Sequence, residues 1–195
     1  MLSYEESLKI LKETKALIDG HFILSSGLHS AQYVQCAKLL SKPHISKNFC
    51  KSLAEKISKE LIEIDLILSP AMGGIVIGYE IGRLLETETI FSERVEGQFQ
   101  LRRDFMIKKN SKVLIVEDVI TTGKSSIECS KLVETASAEI VGYACLIDRS
   151  NKDSLITKKI ISQIKISIPT YKEDKLPENL ISLPAIKPGS RNLND

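Results

Sequence analysis

The sequence predicts an α/β fold in which helices cover both faces of a central, mostly parallel sheet. Short apolar runs bounded by charged residues alternate along the chain with segments of helical periodicity. Strands with continuous apolar runs are typical of parallel sheets buried on both faces, and parallel strands are joined by helical crossovers. The 195 residues, 43% hydrophobic and 27% charged, correspond to a single globular domain, which we take to span residues 1–195.

The first predicted elements precede the sheet. An amphipathic helix is expected over 4–18, followed by short strands at 22–24 and 31–35 on either side of a Ser-Ser-Gly turn. The clearest helix covers 43–61, because Pro43 suits a first turn and apolar residues recur at every fourth position. These apolar positions are Ile45, Phe49, Leu53, Ile57 and Leu61.

The sheet is expected to form from residue 65 onwards. Strands are predicted at 65–69, 89–93, 112–118 and 140–147, and helices at 74–85 and 124–135. A polar stretch, 95–105, follows the second strand. From about residue 171 the chain has three prolines and little periodicity, which indicates a tail laid on the surface. We expect residues 1–40 and the tail 171–195 to form a small hood on the domain.

Composition and charge exclude several classes of protein. The 27 basic and 25 acidic residues nearly balance, which argues against a nucleic-acid partner. The four cysteines are far apart in the sequence, which favours buried thiols over a zinc site or a disulfide framework. The longest stretch without Asp, Glu, Lys, Arg or His, 66–79, is too short and too rich in glycine to span a membrane. We therefore expect a cytoplasmic protein with no membrane partner.

The segment 113–126 carries the chemistry that the sequence suggests. A buried strand ends in two adjacent carboxylates, Glu117 and Asp118, and a loop of small residues follows before a helix that we expect to be capped by serine. Ligands of open α/β sheets bind at the carboxyl ends of the strands. Backbone N–H groups at a helix N-terminus bind anions, and the hydroxyl groups of Thr121, Thr122 and Ser125 would add donors.

A ligand whose phosphate binds in the loop and whose sugar hydroxyl groups bind to the carboxylates is a ribose 5-phosphate. Acidic residues bind the ribose diol in dinucleotide folds, whereas two carboxylates would repel a phosphate. The loop is not a Walker A motif, because that motif requires a glycine at the position of Asp118. The alternative without a binding site is a core strand followed by a polar turn, and it leaves the paired carboxylates and the Thr-Thr-Gly loop unexplained.

The same segment resembles the phosphoribosyl diphosphate (PRPP) signature of the type I phosphoribosyltransferase family. The resemblance implies PRPP binding by Glu117, Asp118, Val119, Ile120, Thr121, Thr122, Gly123, Lys124 and Ser125. Ala71, Met72, Gly73 and Gly74 are similar to the family's pyrophosphate loop.

Two further stretches are similar to the orotate branch of the family. One runs from Phe22 to Tyr33 and forms a hood over the base in that branch; His29, within it, is a weaker candidate for contact with the base. The other is Leu146-x-Asp148-Arg149, and the similarity extends to the terminal KPGSR. The resemblance implies orotate binding by Thr121, Arg149, Ser26 and Tyr33.

The resemblance implies an orotate phosphoribosyltransferase, a pentosyltransferase of pyrimidine (UMP) synthesis that acts as a homodimer. It also implies Mg²⁺ held mainly through PRPP, with no direct protein ligand. The expected catalytic residues are Glu117, Asp118 and Arg94. Arg94 is included because this chain resembles the short-loop variant, which lacks the lysines and histidine of the mobile loop; Arg102 or Arg103 would be next.

Two other functions stay open on the sequence. The first is transfer to a purine or another base, against which the hood stretch and the Leu-x-Asp-Arg segment argue. The second is a non-catalytic regulator that senses PRPP. Such a regulator should carry a basic surface or a nucleic-acid-binding domain, and the near-neutral charge gives no sign of either.

Gly73, at a position where the family often has lysine, leaves the binding of pyrophosphate to backbone amides.

Overall fold

The computed structural model describes residues 1–24, 26–61 and 63–188. The helices are α1 (Tyr4–Glu13), α2 (Ala37–Leu40), α3 (Pro43–Glu60), α4 (Gly73–Leu85), α5 (Lys124–Thr135) and α6 (Glu178–Ile181), with a 3₁₀ turn at Glu173–Lys175. The strands are β1 (Leu17–Ile23), β2 (His29–Val34), β3 (Leu66–Pro70), β4 (Glu88–Val95), β5 (Gln98–Leu101), β6 (Lys112–Ile120), β7 (Glu139–Asp148), β8 (Ile160–Lys165) and β9 (Thr170–Tyr171).

The central sheet has six strands in the order β5-β4-β3-β6-β7-β8. Five of them run parallel, and only β5 is antiparallel, as the second strand of a hairpin with β4. The order reverses between β3 and β6, so these neighbouring strands connect to opposite sides of the sheet. This confirms the predicted α/β class and places a switch point beside β6, where ligands of open sheets bind.

Two apolar cores lie on opposite faces of the sheet. Leu114 and Val116 of β6 face one core, which includes Phe49 and Ile57 of α3 and Ile77 of α4. The alternate residues of β6, Val113 and Ile115, face the other core, to which α5 contributes Cys129 and Val133. Because β6 is covered on both sides, its first half reads as an uninterrupted apolar run.

A second sheet, in the order β1-β2-β9, joins Thr170–Tyr171 to two strands from the first segment of the predicted hood. Part of the tail lies against it: Ile186 pairs with Phe22, and its backbone N–H donates to the carbonyl of His21 at 2.8 Å. Ser25 of the predicted turn and residues 189–195, which include most of the KPGSR stretch, lie outside the described residues.

The predicted helix over 4–18 is wrong over its last five residues. The helix ends at Glu13 because Lys15 takes a left-handed conformation, with φ of 57°, and the chain enters β1 at Leu17. Ile18 and Gly20 therefore lie in a strand. The helices predicted from 43 and from 124 are confirmed as α3 and α5.

Several elements were not predicted. Strand β5 lies inside the stretch expected to be merely polar, β8 follows the lysine-rich residues 158–159, the short helix α2 precedes α3, and β9 and α6 lie at the start of the tail and within it. No helix in the described residues combines the length and apolar character needed to cross a bilayer.

Candidate active site

The loop after β6 leads into α5 at the carboxyl edge of the sheet and is exposed at Thr121 and Thr122. Gly123 is the N-cap of α5 with φ of +74°, and no side chain caps the helix, so the predicted serine cap is wrong. A Cβ on Gly123 would lie 2.7 Å from the Ile156 side chain, so both the backbone angle and the space require glycine. The loop is anchored where the N–H of Leu155 donates to the carbonyl of Thr122 at 2.8 Å.

The first turn of α5 presents its N–H groups towards this loop. Thr121 and Thr122 are exposed, and α5 has 12 residues, so the positive end of its dipole is available to an anion. The Lys124 side chain is 75% exposed and lies 4.0 Å from Glu128 of its own helix. Its backbone, and not its ammonium group, therefore belongs to the loop.

The two carboxylates at the end of β6 point to opposite faces of the sheet, as consecutive strand residues do. Glu117 turns towards α5, where its Oε1 accepts a hydrogen bond of 2.5 Å from Ser126 Oγ. Asp118 turns towards α4, and its Oδ1 accepts from the N–H of Val119 at 2.9 Å. The pair therefore flanks the end of the strand on both sides.

Burial raises the pKa of both carboxyl groups. For Glu117 the pKa rises from 4.5 to about 7, because desolvation and the neighbouring Asp118 outweigh the hydrogen bond from Ser126. The pKa of Asp118 is raised by desolvation, against hydrogen bonds from the backbone. Perturbed carboxyl groups of this kind at the open edge of a sheet are typical of functional sites.

The predicted pyrophosphate loop lies next to Asp118. It links β3 to α4, and the N–H of Ala71 donates to the carbonyl of Ser92 at 2.8 Å. A Cβ on Gly73 would lie 2.9 Å from both carboxylate oxygens of Asp118, and one on Gly74 would lie 3.1 Å from the carbonyl of Val116. The two glycines allow the start of α4 to approach β6 closely.

The structure brings Arg149 and Tyr33 together. Arg149 directly follows β7, and its N–H donates to the carbonyl of Ile120 at 2.8 Å. Burial lowers the pKa of its guanidinium, and nearby Tyr33 partly opposes this. Within the described residues, the buried Nε of Arg149 has no hydrogen-bond partner. This donor is therefore unsatisfied in the described structure.

Ser26 lies at the exposed tip of the β1–β2 hairpin, whereas Tyr33 is near the other end of β2. About 13 Å of strand separates His29, just after the tip, from Tyr33. Ser26 and Tyr33, both predicted to bind orotate, are therefore not in direct contact.

Arg94 lies in the part of β4 that extends beyond β3. Its guanidinium donates to Glu128 of α5 at 2.6 Å and stacks 4.1 Å from the centre of the Phe99 ring. Arg102 and Arg103 both pair with Glu93, at 3.8 and 2.9 Å. Among the described ion pairs, none joins these arginines to the carboxylates of β6. The catalytic role of Arg94 stays a prediction.

Sequence reasoning missed two contacts near the site. One is the bond from Ser126 to Glu117, for which a serine nine residues after a strand-end carboxylate is the only signal. The other joins two buried histidines: His21 Nε2 and His29 Nδ1 are 2.6 Å apart, and His21 Nδ1 donates to the carbonyl of Leu183 at 3.0 Å. The pair ties both hood strands to the tail.

Comparisons with known proteins agree with this geometry. Residues 38–174 match the family model described as a phosphoribosyl transferase domain. The orotate phosphoribosyltransferase of Parvibaculum lavamentivorans is 46% identical over 98% of this chain and 100% of its own length. The chain belongs to the orotate phosphoribosyltransferase family.

Solved structures extend the likeness to the fold. The orotate phosphoribosyltransferase of Aeropyrum pernix matches with a TM-score of 0.70 at 22% identity, over 81% of this chain and 92% of that one. The adenine phosphoribosyltransferase of Thermoanaerobacter pseudethanolicus matches with a TM-score of 0.61 at 18% identity, over 69% of this chain and 88% of that one. The fold is thus common to enzymes that use different bases, and only the sequence likeness assigns the chain to the orotate phosphoribosyltransferases.

Proposed function

We propose that the chain transfers the ribose 5-phosphate of PRPP to orotate, giving orotidine 5′-monophosphate and pyrophosphate in pyrimidine (UMP) synthesis. The observation that carries this proposal is one juxtaposition at the carboxyl edge of the sheet. The anion-binding loop after β6 is flanked by Glu117 and Asp118, and Arg149 follows the adjacent strand. A phosphate, a ribose and an anionic base therefore each have a matching group.

In the proposed reaction a C–N bond forms as a C–O bond breaks. The ring nitrogen of orotate attacks the anomeric carbon and gives up its proton to water or to the departing pyrophosphate, and the electron pair of the C–O bond leaves with pyrophosphate. Positive charge develops on the ribose, which the carboxylates Glu117 and Asp118 stabilise when ionised. The loop from Thr121 to Ser125 holds the 5-phosphate through backbone N–H groups. Positioning of the two substrates supplies much of the rate enhancement.

Arg149 is the proposed partner of the orotate carboxylate. Its guanidinium is half-buried at the end of β7 and has an Nε without a partner in the described residues. Arginine binds carboxylates through two parallel hydrogen bonds, which lysine cannot reproduce. The aromatic ring of Tyr33, close to Arg149, would border the same pocket.

Mg²⁺ is proposed to arrive with PRPP. In the described residues no three His, Cys, Asp or Glu side chains are grouped as a metal site. Mg²⁺ retains water and accepts phosphate oxygens, so a chain offering an open loop of N–H groups fits a metal that the substrate itself holds. When bound, the metal would offset charge on the departing pyrophosphate.

A homodimer in the cytoplasm completes the proposal. Three exposed apolar side chains, Met72 at the N-cap of α4 and Val76 and Tyr79 within it, follow at spacings of four and three residues and so share one face of the helix. A face of this kind next to the pyrophosphate loop favours contact with a second copy. The four cysteines are buried and unlinked, as expected in a reducing compartment. Analytical ultracentrifugation of the wild-type chain and Tyr79→Glu tests the dimer.

The function is tested with a panel of bases. Purified chain, PRPP and Mg²⁺ are mixed in parallel with orotate, adenine, hypoxanthine and uracil, and base consumption is followed by absorbance. Consumption of orotate alone supports the proposal. Consumption of a purine or uracil would keep the PRPP site and overturn the assignment of Arg149, and tight PRPP binding without turnover would favour a regulator.

A further inference from the structure

Ser126, in the first turn of α5, has a contact that the anion-binding loop does not require. We propose that Ser126 is a positioning residue: its hydroxyl holds one oxygen of Glu117 so that the other oxygen faces the ribose. The role of Glu117 at the ribose rests on the proposed function, whereas the contact itself does not.

The geometry of this contact is specific. Ser126 is fully buried, Glu117 is 8% exposed, and the donor and acceptor atoms are 2.5 Å apart. Within the described residues, Ser126 Oγ has no other acceptor and Glu117 Oε1 has no other donor. Glu117 Oε2 accepts no hydrogen bond there, and it keeps some exposure at the carboxyl edge. One oxygen is thus held by the protein while its partner stays available.

The serine is itself held in place. The N-cap of its helix is Gly123, which is packed against Ile156, and the carbonyl of Ser126 accepts a 2.9 Å hydrogen bond from Ser130 Oγ. Ser130 is also 2.7 Å from the hydroxyl of Tyr143. Since the single proton of Ser130 goes to the Ser126 carbonyl, the tyrosine donates in this second bond. Ser130 therefore bonds the backbone carbonyl of Ser126 and not its hydroxyl, whose position is set by the first turn of α5.

The hydrogen bond that Ser126 donates also favours the ionised form of Glu117. Burial and Asp118 raise the pKa of Glu117, and the bond from Ser126 is the one contact that lowers it. The other titratable groups facing Glu117 are Cys129 of α5 and Cys145 of β7. Burial raises the pKa of both thiols, to about 12 for Cys129, so they stay neutral around pH 7. Without Ser126, Glu117 would be protonated over more of the neutral range.

The test compares Ser126→Ala with two variants. Ser126→Thr restores the hydroxyl, and Ser130→Ala removes a buried hydroxyl from the next turn without touching a carboxylate. The first readout is the titration of the Glu117 carboxyl carbon by ¹³C NMR in substrate-free protein, assigned with Glu117→Gln. A hydrogen bond to a charged group is worth enough to move the midpoint upward by about one pH unit in Ser126→Ala. Ser126→Thr and Ser130→Ala should titrate like the wild type.

The second readout is the pH profile of kcat/KM for PRPP. The acidic limb should move with the NMR midpoint, and kcat should fall about tenfold while the KM for PRPP stays within about twofold. A titration unchanged in Ser126→Ala, or an equal effect of Ser130→Ala, would overturn the proposal. If Ser126→Ala does not fold, Ser126→Cys, with its weaker donor, replaces it. Failure of the proposed function is seen separately, as absent turnover in the wild-type chain.

Discussion

Replacing Glu117 by glutamine should stabilise the protein at alkaline pH and hardly at all at acidic pH. Glutamine keeps the shape of the side chain and an oxygen that can accept the hydrogen bond from Ser126. It removes the charge that burial makes costly. The effect on folding is separate from the effect on catalysis, because it is measured without substrates.

The magnitude follows from the pKa of Glu117. Its value is about 7 in the folded chain and 4.5 ordinarily, so between these values the folded state holds a proton that the unfolded state has lost. Stability of the wild type therefore falls as pH rises through this window. The span corresponds to about 3 kcal/mol above pH 8, at about 1.36 kcal/mol per pH unit. Below pH 5 the difference from glutamine should be less than about 1 kcal/mol.

The assay is urea unfolding of the wild type and Glu117→Gln at pH 5 and pH 8.5, with thermal unfolding as a second measure. At pH 8.5 the gain of about 3 kcal/mol corresponds to a rise in Tm of about 6–12 °C for a chain of this size. Ser130→Ala serves as the control, since it alters the same helix without changing a charge.

A gain of equal size at both pH values would refute the reasoning, because it would come from packing and not from ionisation. A less stable Glu117→Gln at pH 8.5 would also refute it. Either result would mean that Glu117 is ionised at no cost in the folded chain.

Four further predictions use substitutions in and around the site. Asp118→Asn should lower kcat about 100-fold, whereas Lys124→Ala, which removes only an exposed ammonium, should change it by less than about twofold; equal losses would contradict the placement of Lys124. Arg149→Ala should raise the KM for orotate about 10- to 100-fold, with Arg149→Lys a poor rescue and the KM for PRPP little changed; the reverse pattern would remove Arg149 from the base pocket. Gly73→Ala should displace the Asp118 carboxylate and so lower kcat/KM about tenfold or more, while Tm is kept or slightly raised. Unaltered activity would show that Asp118 tolerates the added Cβ. His21→Ala should cost about 1–3 kcal/mol and speed proteolysis after Leu183, and an unchanged cleavage rate would show that the histidine pair does not hold the tail.

Much of the fold follows from local patterns in the sequence. Helix α3 and strand β6 are predictable because burial on one face or on both leaves a periodic or continuous apolar run. Strand β5 was missed because only Phe99 in it is buried. The turn before β5 has positive φ at both Glu96 and Gly97, which is the conformation of a tight hairpin. Glutamate is not a residue that signals such a turn in the sequence.

The site divides in the same way. The edge at which Glu117 and Asp118 lie follows from the strand that precedes them, so chain order alone predicts it. Which helix each carboxylate meets depends on how α4 and α5 are rotated against the sheet, and the sequence does not state this. The contacts of Ser126 and of the His21–His29 pair are of this second kind. They arise from tertiary packing and, for the histidines, from a bulge that shifts the register of β1.

The most direct test of the central claim is a side-by-side assay of the wild type and Asp118→Asn with orotate, PRPP and Mg²⁺, in which the products are separated and quantified. We predict that the wild type forms orotidine 5′-monophosphate and pyrophosphate in equal amounts and only when PRPP is present, and that Asp118→Asn forms about 100-fold less. Equal product formation by the two proteins would contradict the account of the carboxylates. Absence of orotidine 5′-monophosphate from the wild-type reaction would contradict the proposed function itself.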